Sequence, residues 1–377
     1  MTVRAVRTPL AALLAERIRA HGPITFADYM EACLCHSEHG YYSRTESQRF
    51  ADYYTSVDVH PIFGRLLARQ FCEMWERMSR PDPFWLVELG AGVGRLAGHI
   101  LDFASSSLPD FYTATRYVLV EGSTVRRTAQ EIALAKHADS GRVLFMNEMP
   151  QAISVGCIFS NEFFDALPIH RVVCECGELQ EIYVAFAGEE FSEQTGPLST
   201  PALAEYFMEQ EIELAEGQQA EVGLAACRWM EEAGRRLGCG FVLTLDYGHE
   251  ARDLYSERHL RGTLLAYERH RTSEEYYRAP GEQDLTAHVN FTALDLWGRR
   301  SGLERTGLVS QSHFLLALGR GNDFAELYEE NSSETERLRA RLLLKNLIHP
   351  EGMGETFQVF LQQKGLAQLR LTGFVPL

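Results

Sequence analysis

The sequence contains no apolar run long enough to span a bilayer, and it has few basic residues for its length. Its 377 residues include 36 Lys and Arg against 52 Asp and Glu, which gives a formal charge of −16 at pH 7. An acidic surface repels the phosphate backbone of a nucleic acid and mildly favours a cationic partner. We therefore expect neither insertion into a membrane nor a nucleic-acid substrate.

The eight cysteines lack the spacing of a redox motif or a zinc site, because no C-x-x-C pair occurs. The pairs at 33–35 and 174–176 are of the type C-x-C, and His36 and His39 lie close to the first pair. A metal site there is the less favoured alternative, since buried reduced thiols explain scattered cysteines more simply. We expect no bound metal and a reducing compartment.

The N-terminus carries a weak targeting signal and a stronger helix signal. Arg4 and Arg7 occur in a stretch without an early acidic residue, which resembles a transit peptide. Thr8 suits an N-cap, Pro9 suits the first helical turn, and Gly22 suits the end of a helix. We therefore predict a helix rather than a targeting peptide, and a cytoplasmic protein.

From residue 84 onward, short apolar runs alternate with amphipathic segments. This rhythm indicates parallel strands with helices on both faces, and hence an α/β fold with a doubly wound, mostly parallel sheet. The segment RVVCECGELQEIYVAF breaks the rhythm and predicts an antiparallel hairpin that turns at Gly177. The predicted sheet strands are FWLVELG, RYVLVEG, RVLFMN, CIFSNEF, CGFVLTLDYG, QSHFLLALG and ETFQVFLQQKG.

Residues 87–101, VELGAGVGRLAGHIL, form the central motif of the chain. A buried strand runs through Glu88 into Gly90, Gly92 and Gly94, and a helix follows. Glycines permit backbone angles and a close ligand approach that a β-carbon would block. Because open α/β sheets bind ligands at the carboxyl ends of their strands, we predict a ligand-binding loop here.

The acids around this loop distinguish two kinds of ligand. The spacing is E-x-G-x-G-x-G rather than G-x-G-x-x-G, and the chain has no G-x-x-x-x-G-K-[ST] motif. Glu121 ends the next strand and is placed to bind two ribose hydroxyls, which suits NAD equally well. Glu88 would attract an ammonium group but repel a pyrophosphate, so we predict S-adenosyl-L-methionine, with Asn147 and Glu148 near its adenine. The alternative is that Glu88 only orders the loop.

The chain resembles the MidA family of S-adenosylmethionine-dependent methyltransferases along nearly its whole length. That family includes the mitochondrial complex I assembly factor that symmetrically dimethylates an arginine of a complex I subunit. The resemblance implies a class I methyltransferase-like, Rossmann-like core and a protein arginine as acceptor, in a complex I-type subunit or another protein. The segments that carry it are GPITFADYM (22–30), HGYYS (39–43), YTS (54–56), IFG (62–64), VELGAGVGRL (87–96), SNEFFDALPIH (160–170), LDYGHE (245–250), RGTLLAYERHR (261–271), QDLTAHVNF (283–291), QSHFLLALG (311–319) and HPEGMGETFQVF (349–360).

The chain departs from the family pattern at two places. The family usually has Gly-Asp-Phe before a Thr-Ser pair, whereas this chain reads FADYYTS there. The family usually has Pro-Glu after that pair, whereas this chain has Val57 and Asp58. An acid often stands where this chain has Asn290. The resemblance still assigns Thr55 and Ser56 to the cofactor, whereas arginine methylation does not carry over automatically.

In the sheet that the resemblance implies, the end of the fourth strand faces the transferred methyl group. IFSNEFFDALP lies there, so Asn161 and Glu162 would point into the cleft, with Asp165 on the same edge. We predict that Asn161 contacts the cofactor and that Glu162 and Asp165 hold the substrate guanidinium between them. The alternative is that Glu162 contacts only the cofactor and Asp165 caps the following turn.

Two other segments supply candidates for the substrate side. Asp246 and Tyr247 end another strand at the same sheet edge and are expected to line that side. His288, in TAHVNF, is either a catalytic base or a structural residue.

These assignments predict three regions. Residues 1–80 form an N-terminal helical region that packs over the cofactor site. Residues 81–170 and 239–377 form the methyltransferase core, and residues 171–238 form an inserted hairpin and helical subdomain on the substrate side.

Three other functions remain as alternatives. A small-molecule methyltransferase needs a closed pocket rather than a groove, and the insertion with the N-terminal helices could build either. A binding protein that assists respiratory-complex assembly without turnover has no need of an intact E-x-G-x-G-x-G loop and Glu121. A nicotinamide oxidoreductase is disfavoured by the glycine spacing and Glu88.

Overall fold

The computed structural model describes residues 8–43, 61–268, 271–322, 324–325, 333–349, 353–367 and 369–376. Thr55 and Ser56, which were predicted to contact the cofactor, lie outside these residues. Within the described ranges, no helix combines the length and the apolar character needed to cross a membrane.

The α-helices alternate with strands along most of the chain. The helices are α1 Pro9–His21, α2 Phe26–Cys35, α3 Ile62–Arg77, α4 Arg95–Ser107, α5 Pro109–Ala114, α6 Thr124–Ala133, α7 Ala135–Ala138, α8 Ala202–Glu209, α9 Leu224–Arg236, α10 Ala251–Leu254, α11 Phe291–Arg300, α12 Gln311–Arg320 and α13 Glu334–Ile348. The strands are β1 Ile24–Thr25, β2 Phe84–Leu89, β3 Thr115–Val120, β4 Val143–Met146, β5 Ile153–Asn161, β6 His170–Glu175, β7 Glu178–Ala187, β8 Glu190–Gly196, β9 Gln219–Val222, β10 Leu237–His249, β11 Leu265–Glu268, β12 Arg271–Ser273, β13 Asp284–Thr286, β14 Val289–Asn290, β15 Glu304–Ser310 and β16 Phe357–Lys364.

The described residues divide into two compact units. The hairpin unit lies within Met1–Tyr53, Phe164–Met230 and Gly248–Trp297, and the sheet unit lies within Tyr54–Phe163, Glu231–Tyr247 and Gly298–Leu377. The boundaries of these units differ from those of the predicted regions at several places. Helix α3 belongs to the sheet unit, because its apolar face packs into that core, with the Phe71 and Phe159 ring centroids 4.7 Å apart. Residues 248–297 belong to the hairpin unit, so the hairpin unit is larger than the predicted insertion.

The sheet unit is built on a mostly parallel sheet in the order β15-β16-β10-β5-β2-β3-β4. The pairs from β10 through β5, β2 and β3 to β4 are parallel, whereas β16 runs antiparallel to β10 and to β15. Strands β2 and β3 are buried along nearly their whole length, as expected for strands covered on both faces. The predicted α/β fold with a mostly parallel sheet is therefore confirmed.

One predicted strand is wrong. The segment at 311–319 forms helix α12, and the edge strand is the preceding β15. Ser310 caps the helix by accepting the backbone N–H of His313 at 3.3 Å. Phe314 and Leu318 are buried four residues apart on one face of the helix. A short continuous apolar run fits either a strand or a buried helix, so its periodicity could not decide between them.

The hairpin unit contains the predicted hairpin and N-terminal helices. Strands β6 and β7 pair antiparallel and are joined through Cys176 and Gly177, both with positive φ, so the predicted turn is confirmed. Strands β1, β8 and β9 extend this sheet. Thr8 and Thr25 cap α1 and α2 as predicted, by accepting backbone N–H groups three residues further on, at 3.0 and 3.1 Å.

Asn290, which stands where the family often has an acid, lies in a buried network of the hairpin unit. Its Nδ2 donates to the hydroxyl of Tyr206 at 2.9 Å and to Oε1 of Gln210 at 2.8 Å. Its Oδ1 accepts the backbone N–H of Ala293 at 3.1 Å and so caps α11. An amide suits this position because the same side chain donates and accepts.

Candidate functional site

The loop between β2 and α4 has the geometry of a ligand-binding loop. Gly90, Gly92 and Gly94 have φ of 66°, 56° and 82°, in the left-handed region that favours glycine. A β-carbon at Gly92 would meet no atom within 4 Å, whereas one at Gly90 would lie 2.6 Å from the ring of Phe163. The loop is therefore packed at Gly90 and open at Gly92, where a ligand can approach the backbone.

Glu121, the predicted ribose ligand, also holds this loop. Its Oε2 accepts the backbone N–H of Gly92 at 3.0 Å, and its Oε1 accepts that of Ser123 at 2.9 Å. Arg126 lies 3.5 Å from Oε2, and Gln130 donates to the carbonyl of Gly92 at 2.7 Å. The sequence analysis did not identify these last two residues. Their spacing of four positions on one helix face was the available signal.

We expect Glu121→Ala to weaken binding of S-adenosyl-L-methionine about ten- to a hundredfold, because charge-assisted hydrogen bonds contribute roughly 1.5–3 kcal/mol. Calorimetry on the folded variant measures the dissociation constant. Glu131→Ala is the matched control, since it removes an exposed carboxylate from the same helix, α6. An unchanged dissociation constant for Glu121→Ala would remove Glu121 from the site.

Glu88 is buried at the end of β2, and its Oε2 accepts a 2.7 Å hydrogen bond from the hydroxyl of Tyr117 on β3. Burial raises the pKa of Glu88 to about 8, against the opposing effect of Tyr117 and with a further rise from Glu121. A nearby ammonium group would favour the charged carboxylate. The role of Glu88 toward the cofactor stays a prediction. Tyr117 was not predicted.

The raised pKa of Glu88 predicts a pH-dependent stability. Between about pH 5 and pH 8, Glu88 is protonated in the folded protein. In the unfolded chain it has the ordinary glutamate pKa of 4.5 and has lost that proton. The stabilisation is complete below pH 4.5 and is lost as the pH rises through about 8. Relative to Glu88→Gln, the free energy of unfolding should therefore fall by up to about 1.4 kcal/mol per pH unit in this range. Urea titrations of both cofactor-free proteins at several pH values measure the difference, and parallel curves would contradict it.

Asn161 and Glu162 lie at the carboxyl end of β5, as predicted. Asn161 Nδ2 donates to Glu162 Oε1 at 3.1 Å. Asn161 Oδ1 is buried and has no hydrogen-bond partner within the described part of the chain. Glu162 has a φ of 52°, in a region that costs a non-glycine residue about 1–3 kcal/mol and that is common at functional sites. This pair therefore combines a carboxylate carried on strained backbone, that of Glu162, with a buried acceptor, Asn161 Oδ1, that a ligand can use.

Asp246 and Tyr247 end the sheet-unit part of β10, and both are buried. The Asp246 carboxylate is wholly buried and accepts the backbone N–H groups of Phe163 at 3.2 Å and Tyr247 at 3.0 Å. Within the described residues this carboxylate binds backbone N–H groups, and its place on the substrate side stays a prediction. For Tyr247 the substrate-side role stays a prediction.

Asn147 and Glu148 follow β4 and are exposed. The backbone N–H of Glu121 donates to the carbonyl of Met146 at 3.0 Å, so these residues begin where the ends of β3 and β4 meet. Their contact with adenine stays a prediction.

Asp165 and His288 belong to the hairpin unit, and the backbone carbonyl of Asp165 accepts the N–H of Ala287 at 3.1 Å. The His288 ring centroid lies 5.2 Å from that of His249 and 6.1 Å from that of His259. Burial, together with these two rings, lowers the pKa of His288 to about 4. A group with this pKa is a weak base at pH 7, which favours a structural role. His249 and His259 were not predicted from the sequence. No group of metal-binding side chains is found among the described residues.

The residues of the sheet unit fit S-adenosyl-L-methionine on three grounds. The backbone at Gly92 is open to a ligand. The loop is flanked by the carboxylates Glu88 and Glu121, which suit an ammonium group and ribose hydroxyls rather than a phosphate. The buried Asn161 Oδ1 is an acceptor that a ligand donor can satisfy.

Comparison with known proteins agrees with this cofactor. The family model described as "Putative S-adenosyl-L-methionine-dependent methyltransferase" matches residues 66–309. A Drosophila melanogaster protein named "Protein arginine methyltransferase NDUFAF7 homolog, mitochondrial" is 27% identical over 96% of this chain and 86% of the relative. The human "Protein arginine methyltransferase NDUFAF7, mitochondrial" is 27% identical over 94% of this chain and 83% of the relative.

Solved structures show the same similarity. A Burkholderia thailandensis protein bound to S-adenosyl-homocysteine has a TM-score of 0.86 at 28% identity, covering 98% of this chain and 97% of that chain. A native structure from the same organism has a TM-score of 0.85 at 28% identity, covering 99% and 98%. The resemblance to the MidA family and the predicted cofactor are thus confirmed, and the family model spans more than half of the sequence. The chain therefore belongs to this family and is an S-adenosyl-L-methionine-dependent methyltransferase.

Proposed function

We propose that this enzyme methylates an arginine side chain of a protein substrate. The observation that carries the proposal is Glu162, a carboxylate held in a strained conformation beside Asn161 at the end of β5. The relatives are named as protein arginine methyltransferases, which supports the same acceptor. A formal charge of −16 also favours a cationic substrate.

When bound, the cofactor supplies an electrophilic methyl group on a sulfonium. The chain's own task is to present the acceptor. A guanidinium is delocalised and stays protonated at physiological pH, so its attacking nitrogen needs help to regain lone-pair character. A carboxylate that binds the far nitrogens favours charge there and fixes the orientation of the group. Near-attack alignment of this kind contributes roughly 7–11 kcal/mol.

We assign the clamp to Glu162 and Asp165, three positions apart in the sequence. The apolar neighbours Phe163 and Phe164 favour a water-poor setting, in which the attraction between a carboxylate and an incoming guanidinium is less screened than in water. His288 is the weaker candidate, because its lowered pKa makes it a poor proton acceptor.

On the cofactor side, we assign Glu121 to the ribose, Glu88 to the ammonium group, and Asn147 and Glu148 to the adenine. Asn161 supplies a further acceptor through its unused buried Oδ1. The backbone of the open glycine loop gives the cofactor its closest approach to the protein.

One experiment tests the acceptor. Lysate from a strain lacking this enzyme is incubated with the purified protein and isotope-labelled S-adenosyl-L-methionine, and labelled products are identified by mass spectrometry. The proposal expects label on arginine in a protein. Label confined to the small-molecule fraction would overturn it and favour a metabolite methyltransferase.

We further propose that the target is a respiratory complex I-type subunit or another protein, and that the enzyme works in the cytoplasm. The relatives carry "mitochondrial" in their names, so location is tested directly by fractionating cells that express the full chain. Recovery in a membrane-bounded compartment would overturn the cytoplasmic location.

A further inference from the structure

The turn that follows β5 is bound from the side by a carboxylate of β10. Leu245 pairs with Asn161 in the parallel register of these strands, and Asp246 is the next residue. The wholly buried Asp246 side chain accepts the N–H of Phe163 through Oδ2 and that of Tyr247 through Oδ1. One carboxylate therefore joins the end of its own strand to the neighbouring turn.

That turn contains the strained residue Glu162. Its own N–H donates to the carbonyl of Leu245 at 3.0 Å, and the next N–H, from Phe163, donates to Asp246. Two successive backbone groups are thus bound to β10 on either side of the left-handed φ of 52°. Strained backbone persists only where the surroundings over-determine it, and these two hydrogen bonds do so here.

The same turn also packs on the cofactor loop. The three atoms nearest to a β-carbon placed on Gly90 all belong to Phe163, at 2.6, 3.4 and 3.5 Å. The Phe163 ring therefore occupies the space that a side chain at position 90 would need. Its backbone is bound by Asp246 and its ring lies on the glycine loop, so Phe163 links the two.

We propose that Asp246 is a positioning residue for methyl transfer, which fixes the turn bearing Glu162 and couples it through Phe163 to occupancy of the glycine loop. The inference rests on the proposed function of Glu162 as the carboxylate that orients the acceptor. It gives Asp246 a role that acts through its neighbours, beside its predicted place on the substrate side. An acid suits this position, because both carboxylate oxygens accept backbone N–H groups.

Hydrogen exchange measured by mass spectrometry tests the coupling without any acceptor. In the wild type, saturating S-adenosyl-homocysteine is expected to slow amide exchange at residues 162–164 by about tenfold. In Asp246→Asn the slowing should fall to less than about threefold, because the amide offers one oxygen to two N–H donors. Thr244→Val is the matched control: Thr244 is also wholly buried on β10, and its hydroxyl has no hydrogen-bond partner in the described residues. It should behave as the wild type.

Kinetics separate positioning from general destabilisation. For Asp246→Asn, kcat should fall about tenfold or more while KM for S-adenosyl-L-methionine stays within about threefold, since only the acceptor carboxylate is displaced. A general loss of folded protein would lower the active fraction. In the molecules that remain folded, S-adenosyl-homocysteine would still slow amide exchange as it does in the wild type. If Asp246→Asn does not fold, Phe163→Ala replaces it, because loss of the ring should also uncouple residues 162–164 from the loop.

A second pair of variants tests the contact at Gly90. Gly90→Ala should weaken binding of S-adenosyl-homocysteine about tenfold, because the added carbon collides with the Phe163 ring. Combining it with Phe163→Ala should restore part of the affinity, because the collision is removed while the strain of a φ of 66° at position 90 remains. Equal losses in the single and double variants would overturn the contact.

The outcomes distinguish this inference from the function on which it rests. Binding of S-adenosyl-homocysteine without slower exchange at 162–164 in the wild type would overturn the coupling and leave the enzyme's activity intact. If S-adenosyl-homocysteine slows exchange at 162–164 in the wild type as expected, but Glu162→Gln still transfers methyl groups at the wild-type rate, the role of Glu162 would be overturned instead. Loss of the exchange response in Thr244→Val as well as in Asp246→Asn would overturn the specific role of Asp246.

Discussion

Gly92→Val is expected to abolish measurable binding of S-adenosyl-L-methionine, a loss of about a hundredfold or more. Two effects add: a β-branched residue is strained at a φ of 56°, and its side chain would fill the open space above the loop. The variant would also displace the N–H that Glu121 accepts. Calorimetry with S-adenosyl-L-methionine and S-adenosyl-homocysteine measures the loss.

Gly141→Val separates strain from obstruction. Gly141 belongs to the same unit, has a φ of 72°, and likewise has no atom within 4 Å of an added β-carbon. Its substitution carries the same backbone penalty at a turn distant in sequence from the glycine loop, so cofactor affinity should be retained in the folded fraction. Equal loss of binding in both variants would show that Gly92 acts through stability alone. Binding of NAD in place of either sulfur ligand by the wild type would contradict the cofactor assignment.

Glu162→Gln and Asp165→Asn are expected to lower methyl transfer to a protein by about a hundredfold or more, while cofactor affinity changes little. Each substitution keeps the shape of the side chain and removes the charge that would hold the guanidinium. The rate of transfer and the dissociation constant are both measured on each single variant. Glu131→Gln, at an exposed position on α6, controls for the loss of one negative charge.

The two measurements have distinct meanings. A parallel collapse of cofactor binding and activity would make Glu162 a cofactor ligand, which is the alternative role. If neither quantity changes, the carboxylates are structural and the clamp must be sought near Tyr247 or among the histidines around His288. A loss of transfer alone supports the proposed function.

The sequence by itself determined the local elements that depend on neighbours in the chain. The caps at Thr8 and Thr25 and the hairpin turn at Gly177 follow from spacing along a few residues. The glycine loop was equally readable, because three glycines after a buried strand are required by backbone angles rather than by distant contacts. The acids that flank the loop then predicted the cofactor, and the family resemblance implied the same one.

Where a segment was apolar throughout, the sequence left two structures open. The segment at 311–319 fits a buried strand or a buried helix, and the choice depended on which neighbours cover it. The capping hydroxyl of Ser310 and the burial of Phe314 and Leu318 on one face made it a helix. Such packing arises only once distant parts of the chain have come together.

Only the tertiary structure decided how the side chains at the strand ends are used. Asp246 and Phe163 are separated by 83 positions, and the register of β10 against β5 brings the carboxylate of one to the backbone of the other. Glu121 and Gly92 meet in the same way across 29 positions. Periodicity can place a residue at a sheet edge, but whether its charge meets a ligand or a backbone N–H depends on register and burial, which are set by contacts far apart in the sequence.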